Sequence, residues 1–280
     1  MIPIKGFSTF DPLKHCIVGK AHSPDNVDEP LKNIMQETNE DLNNLVDTLI
    51  GLGVKCYRPQ VTMSDSRPPI SPRDYFAVLG EHLFVGKVIA GYQDIIGEIE
   101  REKIIWHLNN DISSGNMIRC GNHIHWDISN DVQKNTENKI KQWLKDNGYR
   151  TTITRYGWHM DGIYSILKPG VIVASRDLPE LEKIYPKWNI CYVESAKNET
   201  PLKHPWGGNH EESNYDINIL SVNQDVCITT AYNKFMFDFL KQHNIEVVVC
   251  PLRHRAFWDN GVHCMTQDLY REGKMENYLD

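Results

Sequence analysis

Residues 45–59 read LVDTLIGLGVKCYRP: the end of an amphipathic helix, a glycine break, a short run of β-prone residues and a proline stop. The same order recurs at residues 140–155 (IKQWLKDNGYRTTITR) and 236–251 (MFDFLKQHNIEVVVCP). Glycine or asparagine occupies each break, and both residues tolerate the positive φ of a helix C-cap. A unit that occurs three times indicates a fold built from repeats.

Apolar pairs of short strands lie between these copies. Residues 75–86 (YFAVLGEHLFVG), 163–175 (IYSILKPGVIVAS) and 217–230 (INILSVNQDVCITT) each hold two β-prone runs around a turn. The repeated unit is therefore a hairpin, a helix and a strand. No Pro/Gly/Ser-rich linker or charge block divides the chain, so we expect one α/β domain over residues 1–280.

Composition argues against several classes of protein. The chain has 280 residues, of which 40% are hydrophobic and 24% charged, as in a globular domain with a sizeable core. A net charge of −7 argues against a nucleic-acid binder, and no apolar run approaches the ~20 residues that cross a bilayer. The N-terminus shows no signal or transit pattern, and seven cysteines without a Cys-x-x-Cys pair suit a reducing compartment. We expect a cytoplasmic protein that binds neither nucleic acid nor membrane.

One thiol stands apart from the other cysteines. Cys264 lies in GVHCMTQD (residues 261–268), just past a glycine, in a segment too polar for core packing. Far upstream, in WHMDG (residues 158–162), His159 and Asp161 would share one face of a strand. A cysteine and a histidine brought together by the fold are typical of cysteine-nucleophile enzymes. The alternative is a buried thiol and a surface histidine.

Two further groups of residues are candidates for chemistry. Asp74 ends a Pro-Arg-Asp sequence where a loop enters the apolar strand at Tyr75, although a cap or a surface ion pair would explain it too. His123, His125 and Asp127 alternate along a strand with the spacing of metal ligands, so a metal-dependent hydrolase is a rival hypothesis. A polar strand-to-helix junction is the alternative that we favour, and we expect no metal site.

Four motifs together resemble the amidinotransferases, which move an amidino group from arginine to an amine; glycine amidinotransferase and the inosamine-phosphate enzymes are members. The motifs are residues 261–268 with the terminal Tyr278-Leu279-Asp280, His159-Met160-Asp161 followed by KPGVIV at 168–173, Pro72-Arg73-Asp74, and DPLKHCIVG at 11–19. The resemblance runs over nearly the whole chain. It implies the five-bladed α/β-propeller of the guanidine-modifying (pentein) superfamily, built from repeated hairpin-helix-strand units, with the site on a pseudo-fivefold axis.

The resemblance also implies roles for individual residues. Cys264 is the expected nucleophile, His159 the general acid and base, and Asp74 and Asp161 the carboxylates that bind the guanidinium group. Carboxylates suit this task because they grip the planar N–H fork in bidentate fashion, and a thiolate is a soft nucleophile available near neutral pH. The expected ping-pong reaction passes through an amidino group on Cys264, releases ornithine and needs no metal or organic cofactor. Its partners are arginine and an acceptor amine, glycine by default.

Two departures from the family pattern lie near the expected site. Ser113, in SSGNMIR (residues 113–119), stands where the family has the carboxylate that orients the histidine, so either Asp111 or Ser113 takes over that task. Glu211 and Glu212 stand where the family has small hydroxyl residues near the substrate. Two carboxylates there suit a cationic acceptor, such as a diamine or a lysine-like molecule.

Three other functions stay open at this point. Water in place of the acceptor amine would make the chain an arginine deiminase-like hydrolase. A chain without the orienting carboxylate would be a guanidine-binding protein that retains the fold but turns over slowly. Hydrolysis through a metal on His123 and His125 would be lost with a chelator. A homodimer is likewise an open alternative to a monomer.

Overall fold

The computed structural model describes residues 1–61, 67–86, 90–106, 113–128, 134–157, 159–175, 178, 180–194, 196–197, 212–213 and 215–279. Its strands are, in chain order, β1 (Leu13–Val18), β2 (Lys55–Tyr57), β3 (Phe76–Leu79), β4 (His82–Val85), β5 (Ile104–Trp106), β6 (Met117–Cys120), β7 (His123–Asp127), β8 (Arg150–Thr154), β9 (Tyr164–Lys168), β10 (Val171–Ser175), β11 (Asn189–Val193), β12 (Ala196–Lys197), β13 (Glu212–Ser213), β14 (Leu220–Ser221), β15 (Val226–Thr229), β16 (Glu246–Val249) and β17 (Thr266–Arg271). Its α-helices are α1 (Leu31–Gly51), α2 (Gln93–Gly97), α3 (Lys134–Asp146), α4 (Leu181–Ile184), α5 (Lys234–Gln242) and α6 (Arg255–Trp258).

Four units repeat one topology along the chain. In each, two strands form an antiparallel hairpin, a helix follows, and a third strand pairs parallel to the second: β3-β4-β5, β6-β7-β8, β9-β10-β11 and β14-β15-β16. The parallel third strand requires a crossover connection, which is the role of the helix between them. The hairpin-helix-strand unit predicted from the sequence is confirmed.

A fifth unit joins the two ends of the chain. The C-terminal β17 pairs antiparallel with the N-terminal β1, and β2 pairs parallel with β1 after the long helix α1. Cys16 faces Asp268 on one side and Cys56 on the other. The stretch 45–59 therefore supplies the helix end and third strand of this closing unit, whose hairpin no local sequence pattern reveals.

Each sheet packs against two neighbours through its two faces. Phe84 of β4 packs with Trp126 of the second unit, whereas its neighbours Leu83 and Val85 pack with Leu269 of the closing unit. Three more apolar clusters join the second unit to the third, the third to the fourth, and the fourth to the closing unit. Strands that are apolar on both faces are the consequence of this double packing. The five sheets thus form a ring, and the predicted pseudo-fivefold α/β arrangement is confirmed.

The breaks after the helices have the backbone geometry that the sequence predicts. Gly53 and Gly148 have φ of 81° and 80°, and Asn244 has φ of 56°. Helix α1 buries Leu42, Leu45 and other apolar residues of one stripe against the closing sheet. Among the described residues, no helix has the length and apolar character needed to cross a membrane.

Candidate active site

The candidate site is built from the short segments that lead into the first strand of each unit, here called entry segments. The first three, in chain order, are 3-10 helices at Pro72–Asp74, Ser114–Asn116 and Met160–Gly162. The fourth is the 3-10 helix Tyr215–Ile217, and the fifth is the turn at 261–265 before β17. Because the units are arranged in a ring, their entry segments meet near its axis. Equivalent positions of the repeat therefore supply the polar side chains of one site.

Cys264 lies in the fifth entry segment, which is held against the fourth. Its backbone N–H donates to Asn218 Oδ1 at 2.9 Å, and Asn218 Nδ2 donates to the Cys264 sulfur at 3.0 Å. Cys264 is 8% exposed. Gly261 lets the two segments approach, because a Cβ at this position would lie 2.6 Å from Asn218 Oδ1. The thiol is therefore set into the ring interior and held by the neighbouring unit.

Asp161, in the third entry segment, is the carboxylate in direct contact with this thiol. The Cys264 Sγ–H donates to Asp161 Oδ2 at 3.3 Å, and His263 Nδ1 donates to the same oxygen at 2.7 Å. The other oxygen, Asp161 Oδ1, is buried and has no hydrogen-bond partner among the described residues. Cys264 and Asp161, which were predicted to belong to one site, are thus in contact in the structure. His263, which the sequence analysis did not single out, binds the same carboxylate oxygen as the thiol.

His159 precedes this 3-10 helix and lies towards the opening of the site. Its side chain is 48% exposed, and its Nδ1 is 3.8 Å from Asp74 Oδ1. The expectation that His159 and Asp161 share a strand face is wrong, since residues 160–162 form a 3-10 turn that buries both Met160 and Asp161. The turn separates the two roles: the histidine faces the opening, while the carboxylate reaches the thiol.

Asp74 closes the opposite side of the site from the first entry segment. It lies 3.6 Å from Arg67 Nη2, in addition to its approach to His159. The preceding residue, Arg73, points the other way and is 1% exposed. Its Nε donates to His263 O at 2.7 Å, and its Nη2 contacts Asp268 Oδ1 at 3.1 Å. Arg73 thus fixes the cysteine-bearing segment from inside the ring while Asp74 faces the opening.

The second entry segment supports the imidazole by close packing. A Cβ on Gly115 would lie 2.9 Å from His159 Nδ1, so the ring rests directly on the Gly115 backbone. Ser113 Oγ accepts from Gly115 N at 3.0 Å and donates to Arg73 O at 3.1 Å. The hydroxyl of Ser113 is therefore engaged within the entry segments, whereas the carboxylate of Asp74 lies 3.8 Å from His159 Nδ1. Asp111 lies outside the described residues, so its predicted role stays a prediction.

Buried charge controls the protonation of the site. Burial, and then the negative charges of Asp161 and Asp74, raise the pKa of the Cys264 thiol well above its ordinary value. Burial also raises the pKa of Asp74, against the opposing charges of His159 and Arg67. For Asp161 burial would raise the pKa, but the hydrogen bond from His263 and the nearby positive charges hold it below the ordinary value. The site thus holds a protonated thiol beside carboxylates.

His263 is neutral at physiological pH. Burial, followed by the charge of Arg73, lowers its pKa to about 4, although Asp161 opposes the shift. A neutral ring donates one hydrogen bond from Nδ1 to Asp161 Oδ2 and fixes that carboxylate in place. His263 is therefore a structural partner of Asp161.

The residues proposed for the rival metal site are hydrogen-bonded to neutral groups. His125 Nδ1 lies 2.9 Å from the Tyr164 hydroxyl and its Nε2 3.1 Å from Thr154 Oγ1. Asp127 Oδ1 accepts from Thr154 Oγ1 at 2.7 Å, and both its oxygens accept backbone N–H groups. Among the described residues, no group of three or more His, Cys, Asp or Glu side chains is placed to hold a metal. His123, His125 and Asp127 belong to a buried polar network of the second unit that also reaches Tyr164 of the third unit.

The residues predicted to face the acceptor are only partly described. Glu211 lies outside the described residues, and the backbone of Glu212 belongs to the two-stranded β12–β13 sheet. Their role in choosing the acceptor therefore stays a prediction.

The sequence resembles known amidinotransferases over part of its length. No family model matches the chain. It is 25% identical over 122 residues to L-arginine:L-lysine amidinotransferase of Pseudomonas savastanoi pv. phaseolicola, a match covering 43% of this chain and 33% of that protein. It is 24% identical over 123 residues to mitochondrial glycine amidinotransferase of Danio rerio, covering 43% and 28%. The match thus spans a third or less of the length of these curated relatives.

Solved structures share the fold over the whole chain. The inosamine-phosphate amidinotransferase of Streptomyces griseus superposes with a TM-score of 0.80 at 18% identity, covering 100% of both chains. A dimethylarginine dimethylaminohydrolase superposes with a TM-score of 0.65 at 16% identity, covering 91% of this chain and 98% of that one. The resemblance to amidinotransferases stated from the motifs is confirmed, and the fold is shared with the amidinotransferase and hydrolase structures above.

Proposed function

We propose that the chain is an amidinotransferase that takes the amidino group of arginine onto Cys264 and passes it to an acceptor amine. The observation that carries this proposal is the arrangement around Asp161. One of its oxygens holds the thiol and His263, and the other is buried with no partner among the described residues. A buried carboxylate oxygen without a donor is costly, and a guanidinium N–H would satisfy it beside the sulfur.

Substrate charge explains how a thiol with a raised pKa becomes reactive. Asp161 and Asp74 both disfavour ionisation of Cys264 in the free protein. A bound guanidinium cation compensates both carboxylates and places positive charge next to the sulfur, which favours the thiolate. The nucleophile is thereby activated only when a cationic substrate is present, and this protects the thiol between turnovers.

The reaction then proceeds in two balanced steps. The Cys264 thiol gives its proton to His159 and its sulfur attacks the guanidinium carbon; the bond from that carbon to the side-chain nitrogen of arginine breaks, and His159 passes the same proton to that nitrogen, releasing ornithine. The acceptor amine enters, loses a proton to His159 and attacks the same carbon; the C–S bond breaks, and His159 returns that proton to the sulfur, which restores the thiol. Acid–base help of this kind contributes roughly 10²–10⁴ in rate. His159 suits it because it lies at the exposed side of the site, where substrates enter.

The acceptor is proposed to be an amine of small size. The names of the two curated relatives quoted above include lysine and glycine. Glycine is the default by resemblance, and a lysine-like or diamine acceptor follows if Glu211 and Glu212 face the entering amine. Replacement of both glutamates by serine should then shift preference towards glycine.

Hydrolysis is the second candidate, favoured by one observation. His159 is half exposed, so water can reach the acid–base group, and the fold is shared with a dimethylarginine dimethylaminohydrolase. In this hydrolysis the bond from the guanidinium carbon to a terminal nitrogen breaks, ammonia leaves, and water then displaces the sulfur to give citrulline; transfer instead breaks the bond to the side-chain nitrogen and gives ornithine.

The deciding experiment is incubation with arginine and a panel of amines, with all products read by mass. Transfer predicts ornithine, an amidinated amine and a trapped amidino adduct on Cys264. Cys264→Ala should abolish all three, while the control Cys56→Ser, at a partly buried cysteine of β2, should leave them. Citrulline without an amidinated amine would indicate that the chain catalyses hydrolysis and not transfer. Tight arginine binding with no product would indicate a guanidine-binding protein instead.

A further inference from the structure

The fourth entry segment contributes a side chain that the roles above do not use. Asn218 follows the 3-10 helix Tyr215–Ile217 and is 3% exposed. Its Nδ2 lies 3.0 Å from the Cys264 sulfur and 3.0 Å from Asp161 O, and its Oδ1 accepts from Cys264 N at 2.9 Å. Asn218 thus stands in the repeat where the other units place Asp74, His159 with Asp161, and Cys264.

The neighbours of Asn218 fix which end of its amide faces the sulfur. The Cys264 backbone N–H can only donate, so the group facing it must be the oxygen; Asp161 O can only accept, so the group facing it must be the NH₂. The second proton of that NH₂ is then directed at the sulfur. Gly261 packs against the amide so closely that a Cβ would lie within 2.6 Å of two of its atoms. The three hydrogen bonds and the close backbone of Gly261 therefore hold the amide in this orientation.

We propose that Asn218 is a catalytic residue of this site, which donates a hydrogen bond to the Cys264 sulfur and stabilises it as the thiolate. This inference rests on Cys264 being the nucleophile of the proposed function. A thiolate accepts an N–H bond more strongly than a thiol, since bonds to ionised acceptors are roughly twice as strong as neutral ones. The amide is pre-positioned, so no reorganisation accompanies ionisation.

The other charged groups around the sulfur set the background for this donor. Asp161 and Asp74 oppose ionisation, and Arg73 favours it from inside the ring. His263 is engaged with Asp161, and His159 lies near Asp74. Asn218 is the neutral side chain that donates to the sulfur among the described residues. Its removal should therefore be visible in the titration of the thiol itself.

The test follows alkylation of Cys264 by iodoacetamide from pH 6 to pH 12, because burial and the neighbouring carboxylates place the midpoint of the wild-type thiol far into the alkaline range, and it is quantified by peptide mass mapping. We expect Asn218→Ala and Asn218→Asp to move the midpoint of the pH–rate profile upward and to slow alkylation at pH 7.5 by about 10- to 100-fold. The rate at the alkaline plateau should stay close to that of the wild type. The matched control is Asn223→Asp in the β14–β15 turn, where the oxygen that accepts from Asp225 N and Val226 N is retained. It should leave the profile unchanged.

An unshifted midpoint in both variants would overturn the inference, as would a loss confined to the plateau rate, which indicates a purely structural role. Continued protection of the buried Cys227 reports that a variant is folded. If neither variant folds, the wild type decides: the side-chain N–H signals of Asn218 should move downfield in ¹⁵N-edited NMR as Cys264 ionises, and a static signal refutes the bond.

Alkylation requires no arginine, so this experiment separates the two proposals. A shifted profile together with no amidino transfer to any amine would leave Asn218 as a thiolate donor and reject the proposed reaction. An unshifted profile together with normal transfer would reject Asn218 as a thiolate donor and leave the proposed reaction in place.

Discussion

Asp161→Asn should have opposite effects on the reactivity of the free thiol and on turnover. The carboxylate oxygen lies 3.3 Å from the Cys264 sulfur, and at an effective dielectric of about 20 two unit charges at this distance repel by about 5 kcal/mol. Asparagine removes that repulsion, while its oxygen can still accept from His263 Nδ1. Alkylation of Cys264 at pH 7.5 should therefore accelerate by at least about tenfold.

The same substitution should abolish most of the transfer activity. It removes a charge-assisted acceptor for the guanidinium group, which is worth about 1.5–3 kcal/mol, together with the charge that holds the cation beside the sulfur. We expect kcat/KM for arginine to fall by about 10²-fold or more.

The assay pairs iodoacetamide kinetics with ornithine release on the same preparations. Asp225→Asn, at an exposed position of the β14–β15 turn, controls for the loss of one negative charge. Slower alkylation in Asp161→Asn, or unchanged turnover, would refute the assignment of Asp161 as both the restraint on the thiol and the guanidinium ligand.

Three further outcomes follow from the same geometry. Asp74→Asn should raise KM for arginine, and it should speed alkylation of Cys264 less than Asp161→Asn does, because Asp161 has the larger influence on the pKa of the thiol. Steady-state kinetics and iodoacetamide rates check these two results. An unchanged KM argues against a contact between Asp74 and the guanidinium group. Asp268→Asn should lower the free energy of unfolding in urea by about 3–5 kcal/mol, because it leaves Arg73, Arg119 and Arg271 buried without their shared anion; a loss similar to that of Asp225→Asn would contradict this. His263 has a pKa of about 4 in the folded protein and an ordinary value of 6.5, so the unfolded chain binds more protons between these two pH values. The free energy of unfolding should therefore fall as the pH drops from 6.5 towards 4. In urea titrations at pH 5 and pH 7, His263→Asn should show a smaller difference in stability than the wild type.

Much of the fold was predictable because its information is local. Apolar runs around turn residues predict the hairpins at 75–86, 163–175 and 217–230, and the structure contains strands in all three. The second unit was harder, since His123, His125 and Asp127 give its hairpin a polar appearance; their partners Thr154 and Tyr164 come from other strands. The closing unit was beyond local patterns, because β1 and β17 meet only after the ring is complete.

The residues of the candidate site were likewise predictable only in part. Cys264, His159, Asp161 and Asp74 were found because they carry reactive groups in motifs resembling a known family. Asn218 was missed because a single asparagine before a strand looks like a turn residue. The signal that could have found it is positional: Asn218 lies two residues before β14, as Asp74 lies two residues before β3. Aligning the units by their hairpins, and not by their helices, would have placed Asn218 among the candidates.

The pairing of β17 with β1 has a consequence for how the protein is made. The sulfur sits two residues before the last strand of the ring, so it is the final part of the chemistry to leave the ribosome. A nascent chain carries Asp74, His159 and Asp161 before it carries Cys264, and the thiol takes its place beside them only when β17 pairs with β1. Completion of the candidate site and closure of the ring of sheets are therefore a single event in biosynthesis.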